Sequence, residues 1–155
     1  MVELELKYEL LCELTALVGD SQEIGKVPRG TRIIVPVIGG EFEGHKIKGK
    51  ILPFGADWIL VRPDGLEELD IRATIQTDDG ELIYIYYRGI IRASPEVNNK
   101  LDKGENVDPS EYYFRTTPIF ETSSQKYGWL NNVICIGVGK LIGRSAVHYK
   151  IYQIL

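Results

Sequence analysis

An all-β domain is predicted by three observations. Apolar and polar residues alternate with period two in many short segments, the pattern of half-buried strands. Clusters of Gly, Pro, Asn and Asp separate those segments. No stretch carries a sustained helical period. Many short strands between turn signals make a sandwich or a barrel, and sixteen glycines suit the bends of a barrel. The 155 residues, 44% of them hydrophobic, suit one domain with a single core over 1–155.

The elements follow in order. Residues 2–18 read as one long strand, with Val2, Leu4, Leu6, Tyr8, Leu10, Cys12 and Leu14 on one face and Glu3, Glu5, Lys7, Glu9 and Glu13 on the other. Residues 19–30 read as a polar loop containing Pro28. Strands are predicted over 31–38, ending at Gly39-Gly40, and over 46–52, where Gly49 marks a bend. A short strand over 57–62 leads into the turn Pro63-Asp64-Gly65.

Residues 69–88 form a β-hairpin whose register can be derived. A two-residue Asp-Gly turn would pair Thr74 with Ile85 and mix polar with apolar on both faces. A three-residue loop closed by Gly80 in the left-handed region shifts the pairing by one. Ile75 then faces Ile83, Ala73 faces Ile85 and Ile71 faces Tyr87. The opposite face pairs Thr74 with Tyr84, Arg72 with Tyr86 and Asp70 with Arg88. This register sorts the two faces cleanly, and a slip of one residue destroys the sorting.

Residues 94–110 carry Pro95, Pro109, Asn98, Asn99 and Gly104 and read as an exposed loop. A strand over 111–122 contains Pro118, which points to an edge or bulge. Residues 123–132 are a polar connection with aromatic anchors and one helical turn. A final hairpin joins 133–142 to 146–155 across Gly143-Arg144.

Composition excludes several classes. A net charge of −4 argues against a nucleic-acid or anionic-membrane partner. No apolar run approaches the ~20 residues of a membrane span. The acidic, alternating start MVELELKYEL does not read as a signal peptide. Cys12 and Cys135 lie in apolar strands, which suits reduced thiols in the cytoplasm. His45 and His148 lack metal-site spacing, so no metal is expected. Gly137-Val138-Gly139-Lys140 lacks the spacing and the strand-to-helix context of a phosphate loop. No nucleophile elbow is present, and nothing calls for a cofactor.

Four constellations can carry chemistry. The hairpin face of Asp70, Arg72, Tyr84, Tyr86 and Arg88 offers two guanidinium groups to an anion and two phenols as walls; facing water, it is a set of cross-strand charge pairs. On 113–122, Glu121 is a candidate general base if desolvated, or a surface partner of Arg115. Tyr127-Gly128-Trp129-Leu130-Asn131 either caps a pocket or plugs a barrel end. Phe54-Gly55-Ala56-Asp57-Trp58 places an acid beside an indole, at a pocket rim or a packing corner.

A longer pattern links these segments. Ile38-Gly39-Gly40-Glu41-Phe42-Glu43-Gly44, Gly55-Ala56-Asp57-Trp58, Leu69-Asp70-Ile71-Arg72, Thr77-Asp78-Asp79-Gly80, Phe114-Arg115-Thr116, Phe120-Glu121-Thr122 and Trp129-Leu130-Asn131 occur in this order. The string resembles domain-of-unknown-function family 3237 over residues 6–152. The resemblance implies a single antiparallel β-barrel of about 8–10 strands with little helix, similar to calycin-type or allene-oxide-cyclase-type barrels. It implies no particular activity. The family's characteristic residues fall on Gly40, Gly44, Gly55, Asp57, Trp58, Asp70, Arg72, Thr77, Asp79, Gly80, Arg115, Glu121, Trp129 and Asn131. The glycines are explained by turns. The arginines and acids are not, which favours their facing the barrel lumen.

Three functions are open at this stage. The first is binding of a small, partly apolar, anionic molecule in a polar-lined lumen, with Asp70, Arg72, Tyr84, Tyr86, Arg88, Arg115, Trp58, Trp129 and Asn131 as ligand-binding residues. The second is a cofactor-independent isomerase, cyclase or lyase with Glu121 or Asp57 as proton acceptor and an arginine stabilising the developing anion. The third is a structural module in which edge strands and the apolar C-terminal segment form a homodimer.

Overall fold

The computed structural model describes residues 3–155; Val2, assigned to the first strand above, lies outside the described residues. The chain forms β1 (Tyr8–Val18), β2 (Gln22–Val27), β3 (Gly30–Glu43), β4 (Lys48–Ile51), β5 (Gly55–Val61), β6 (Glu67–Thr77), β7 (Leu82–Arg92), helix α1 (Pro95–Asp102), β8 (Tyr113–Glu121), β9 (Ile134–Ile142) and β10 (Ala146–Ile154). The antiparallel ladder runs β1-β10-β9-β8-β7-β6-β4-β3, and pairing of β1 with β3 closes it. The result is a closed eight-strand barrel with two extra strands. Those extras continue existing rungs: β5 follows β4 between β3 and β6, and β2 continues the β1 side of β3. Among the described residues, no helix is long and apolar enough to cross a membrane.

The central hairpin adopts the derived register, with Ile75 opposite Ile83, Ile71 opposite Tyr87, Arg72 opposite Tyr86 and Asp70 opposite Arg88. Gly80 takes a φ of 91°, as the three-residue loop requires. Leu69, Ile71, Ala73, Ile75, Ile83, Ile85 and Tyr87 turn inward and are buried. They join Phe42, Phe114, Phe120, Tyr149 and Ile151 in one core cluster.

The first strand differs from the expectation. Its ladder with β10 slips between Leu10 and Cys12, so Leu11 is a bulge residue. Leu11 and Cys12 are both buried, while Leu10 and Tyr8 of the predicted inner face point out. An extra residue reverses strand parity, and its trace in the sequence is the unbroken apolar run Leu10-Leu11-Cys12. Residues 19–30 are not all loop, because β2 forms within them. Its sequence QEIGKV does not alternate, and Gly25, at a φ of 96°, breaks its ladder. Segment 94–110 is mostly exposed but holds α1, capped by the Ser94 side chain on the Val97 amide at 3.2 Å, with Val97 and Val107 buried. Pro118 accompanies a short ladder: β8 pairs β9 only at Arg115 and Thr116. A proline cannot donate to continue it.

The two barrel ends are unlike. At one end a short 3-10 turn, Gly128–Asn132, is a plug. Leu130 is 1% exposed within the core cluster. The Tyr127 hydroxyl donates to Asp79 in the β6–β7 turn at 2.9 Å, and Lys126 reaches the same carboxylate at 2.6 Å. At the other end α1 lies beside the β9–β10 turn and leaves a mouth.

Candidate functional site

A cavity of about 520 Å³ opens at the α1 end. That is within the range of drug-sized ligand sites, roughly 300–1,000 Å³. Its walls are aliphatic, drawn from β3 (Ile33, Val35, Val37), β5 (Ile59) and β6 (Leu69, Ile71). Tyr87 of β7, Phe114 of β8 and Tyr149 of β10 add aromatic surface; Tyr149 packs edge-on against both other rings at 5.3 and 5.4 Å. Asn98, Leu101 and Asp102 of α1 line the mouth, together with Arg144 of the β9–β10 turn.

The polar groups of this lumen are acids and phenols. Asp57 pairs with Ile71, which pairs with Tyr87, so strand register brings the carboxyl and the phenol to one level of the barrel. One carboxyl oxygen of Asp57 accepts from the Asp70 amide at 3.1 Å. Among the described residues no lysine or arginine pairs with it. Burial pushes its pKa up to about 7; the Asp70 amide opposes this, and the charges of Glu67 and Asp70 add to it. Glu67, which also lines the cavity, is raised to about 7 by burial and by Asp102. Tyr87 and Tyr149 are buried side by side, and burial raises both hydroxyls, with the charge of Asp57 adding to it, so both stay protonated. The arrangement offers a carboxyl group poised near neutral pH next to hydroxyl donors, in an apolar chamber.

The candidates named from sequence divide. Asp57 faces the lumen. The hairpin face does not: Asp70, Arg72, Tyr84, Tyr86 and Arg88 lie on the barrel exterior, which overturns their expected lumenal placement. The physical reason is strand parity. The apolar set of the same register takes the interior, because that burial removes the most apolar area from water. Outside, Arg72 lies 3.5 Å from Asp70 and stacks near Tyr86 and Trp58, with its carbon at 5.3 and 5.9 Å from the ring centroids. Trp58 is also on the outer side of β5. Glu121 is exposed, opposite Tyr84, and so lacks the desolvation a general base there would need. Arg115 lies on the outer face, its guanidinium donating to the Phe114 carbonyl at 2.9 Å. Trp129 and Asn131 belong to the plug: Lys46 sits 5.4 Å from the Trp129 ring, and Asn131 exchanges two hydrogen bonds with the Thr122 backbone, each 2.9 Å. The thiols are inert, Cys12 raised by burial to about 12 and Cys135 to about 11.

Sequence reasoning missed Glu67, Tyr149 and the lumenal role of Tyr87. Parity carried a signal for two of them. Glu67 shares the odd-numbered face of Leu69 and Ile71, and Tyr87 had been paired with Ile71. An acid and a phenol at inward positions mark a polar spot in an apolar wall. The exterior placement also makes a prediction. Replacing Arg72 with Leu is expected to cost less than about 1 kcal/mol in urea unfolding, the scale of an exposed ion pair, and to leave binding in the lumen unchanged.

Comparison with known proteins agrees with the fold. Residues 6–154 match the family described as "Protein of unknown function (DUF3237)". A UPF0311 protein of Clostridium acetobutylicum is 43% identical over 151 residues, covering 97% of this chain and 95% of its own. The crystal structure of a conserved protein of unknown function from Rhodopseudomonas palustris superposes with a TM-score of 0.94 at 37% identity, covering 99% of this chain and 100% of that one. A more distant relative, 25% identical and covering 92% of this chain and 89% of its own, is the PR-toxin biosynthesis cluster protein 7 of Penicillium roqueforti. The chain belongs to the DUF3237 family.

Proposed function

We propose that the barrel binds a small, partly apolar molecule in its lumen and moves a proton on it, with Asp57 as the proton acceptor and donor. The observation that carries this is the Asp57 carboxyl, desolvated, without a cationic partner among the described residues and raised to about 7, at the level of Tyr87 in the cavity. A carboxylate paired with arginine would be a poor base, held well below neutrality. An unpaired one near pH 7 is matched to general acid–base work at neutral pH.

The chemistry follows from placement. Asp57 takes a proton from a carbon or hydroxyl of the bound molecule. The electron pair left behind is drawn onto an oxygen that the Tyr87 or Tyr149 hydroxyl stabilises by donating a hydrogen bond. Protonated Asp57 then returns the proton elsewhere on the same molecule. That sequence suits an isomerase, cyclase or lyase and uses no cofactor. The lumen supports a neutral ligand rather than an anionic one, because its polar lining includes Asp57, Glu67 and Asp102 with Arg144 at the mouth. The toxin-cluster name of the Penicillium roqueforti relative supports a role in making small organic molecules.

The test uses neutral carbonyl and phenolic compounds chosen by thermal shift. Each is incubated with the protein in deuterated water and followed by proton NMR. Native protein is expected to wash deuterium into a bound compound, with the rate falling by about 10²–10⁴ in Asp57→Asn. If compounds that bind the native lumen bind the variant equally and neither protein exchanges a proton, the barrel is a binding module without this chemistry.

A further inference from the structure

A second polar groove, of about 540 Å³, lies on the outer surface where β7 leads into α1 and the connection returns to β8. Its cationic groups are Arg92 and Arg115. Arg92 sits opposite Tyr113 in the β7–β8 ladder, and Arg115 lies two residues beyond Tyr113 on β8, so all three project from the same face. Both guanidinium groups lean on the Tyr113 ring, their carbons 4.7 and 5.0 Å from its centroid. The ring holds two flexible side chains in place before any ligand arrives.

What sets these two arginines apart is that both lie over one ring; among the described residues they share the lack of a carboxylate partner with Arg32, Arg88 and Arg144. Arg29, Arg62 and Arg72 each have a carboxylate partner. Among the described residues, neither Arg92 nor Arg115 has one, although Glu111 lines the same groove. Two guanidinium groups against one carboxylate leave the groove net positive in a chain of net charge −4. Ser110 contributes a hydroxyl. Ser94 lines the groove as the N-cap of α1, so the positive end of the helix dipole lies at its edge.

We infer that this groove binds a phosphoryl or sulfuryl dianion between Arg92 and Arg115. A planar carboxylate is satisfied by one guanidinium fork. Two forks, one from the neighbouring strand and one from along the strand, match the several oxygens of a tetrahedral dianion. The site is separate from the lumen and does not depend on the chemistry proposed there.

The experiment is isothermal titration and thermal shift with inorganic phosphate, compared with sodium chloride at equal ionic strength, on native protein and on Arg92→Gln, Arg115→Gln and Arg88→Gln. Arg88 is an exposed arginine of β7 that lies outside the groove. Phosphate is expected to bind native protein and Arg88→Gln alike and to lose about tenfold or more in affinity in each of the other two, equivalent to about 1.4 kcal/mol. Phenyl phosphate separates the sources. Tighter binding than inorganic phosphate means an organic phosphate stacked beside Tyr113; equal binding means that the groove reads the free ion. No binding by native protein beyond the salt control, or the same loss in Arg88→Gln as in the groove variants, overturns the assignment.

Discussion

Replacing Asp57 with Asn is expected to stabilise the barrel by roughly 2–4 kcal/mol at about pH 8 and to change it little near pH 4. The sign comes from the raised pKa. In the unfolded chain this carboxyl ionises near its ordinary value of 3.8; in the barrel it holds its proton up to about 7. Between those values the native state binds more protons than the unfolded state, so stability falls as pH rises through that window. Above it the full cost of a largely desolvated carboxylate, with no cationic partner among the described residues, is present. Asparagine mimics the protonated acid in size and keeps an oxygen for the Asp70 amide, so it removes the cost without removing that contact. A gain of this size raises the melting temperature by roughly 4–16 °C for a domain of this length. Thermal melts of native and variant protein from pH 4 to 8 check it; parallel curves would mean that the carboxyl ionises as freely in the barrel as in water. A chain that keeps a destabilising acid inside its cavity, where a neutral isostere fits, has the signature of a functional group carried at a cost in stability.

The same acid shows how much of the molecule could be read from sequence. The central hairpin was legible in full, because turn chemistry and parity agree there: Gly80 demands the three-residue loop, and only that loop separates Ile75, Ala73 and Ile71 from Thr74, Arg72 and Asp70. Which face entered the barrel was also encoded, since the apolar set outweighs the polar one. The prominence of Arg72, Arg115 and Glu121 in the family pattern pointed the other way. The structure explains part of that prominence without a lumen: Arg72 fits between Asp70, Tyr86 and Trp58 on the outer sheet, and Asn131 locks the plug to Thr122. The bulge at Leu11 did leave a trace, because Leu10-Leu11-Cys12 breaks the alternation and sets Leu11 on the parity of Glu9 and Glu13, but one apolar residue on a charged face does not by itself say that a residue has been inserted. Strand β2 was invisible because QEIGKV gains its order from pairing with β3 rather than from burial of one face. Asp57 was legible as a candidate, but its burial was not, since that depends on β5 lying between β3 and β6.

Truncating Leu130 to Ala is expected to cost about 3–4 kcal/mol and to lower the melting temperature by roughly 10 °C, a larger loss than any exterior hairpin substitution should cause. Leu130 is 1% exposed, and its neighbours in the plug are tied from outside by Asp79 and Thr122. Those polar ties prevent the turn from collapsing into the space vacated, so the cavity penalty adds to the lost burial. Trp129 next to it is only partly buried and keeps one side near Lys46, so Trp129→Ala should cost less despite removing a larger side chain. Urea unfolding of both variants measures the order. The two barrel ends then make opposite predictions from the same fold. Removing an apolar side chain at the plug weakens the protein and should leave the titration of Asp57 in place. Neutralising the acid at the open end strengthens the protein and should abolish proton transfer. If Leu130→Ala instead left stability intact while disturbing ligand binding, the 3-10 turn would be a second mouth, and the lumen would have to be understood as a channel open at both ends.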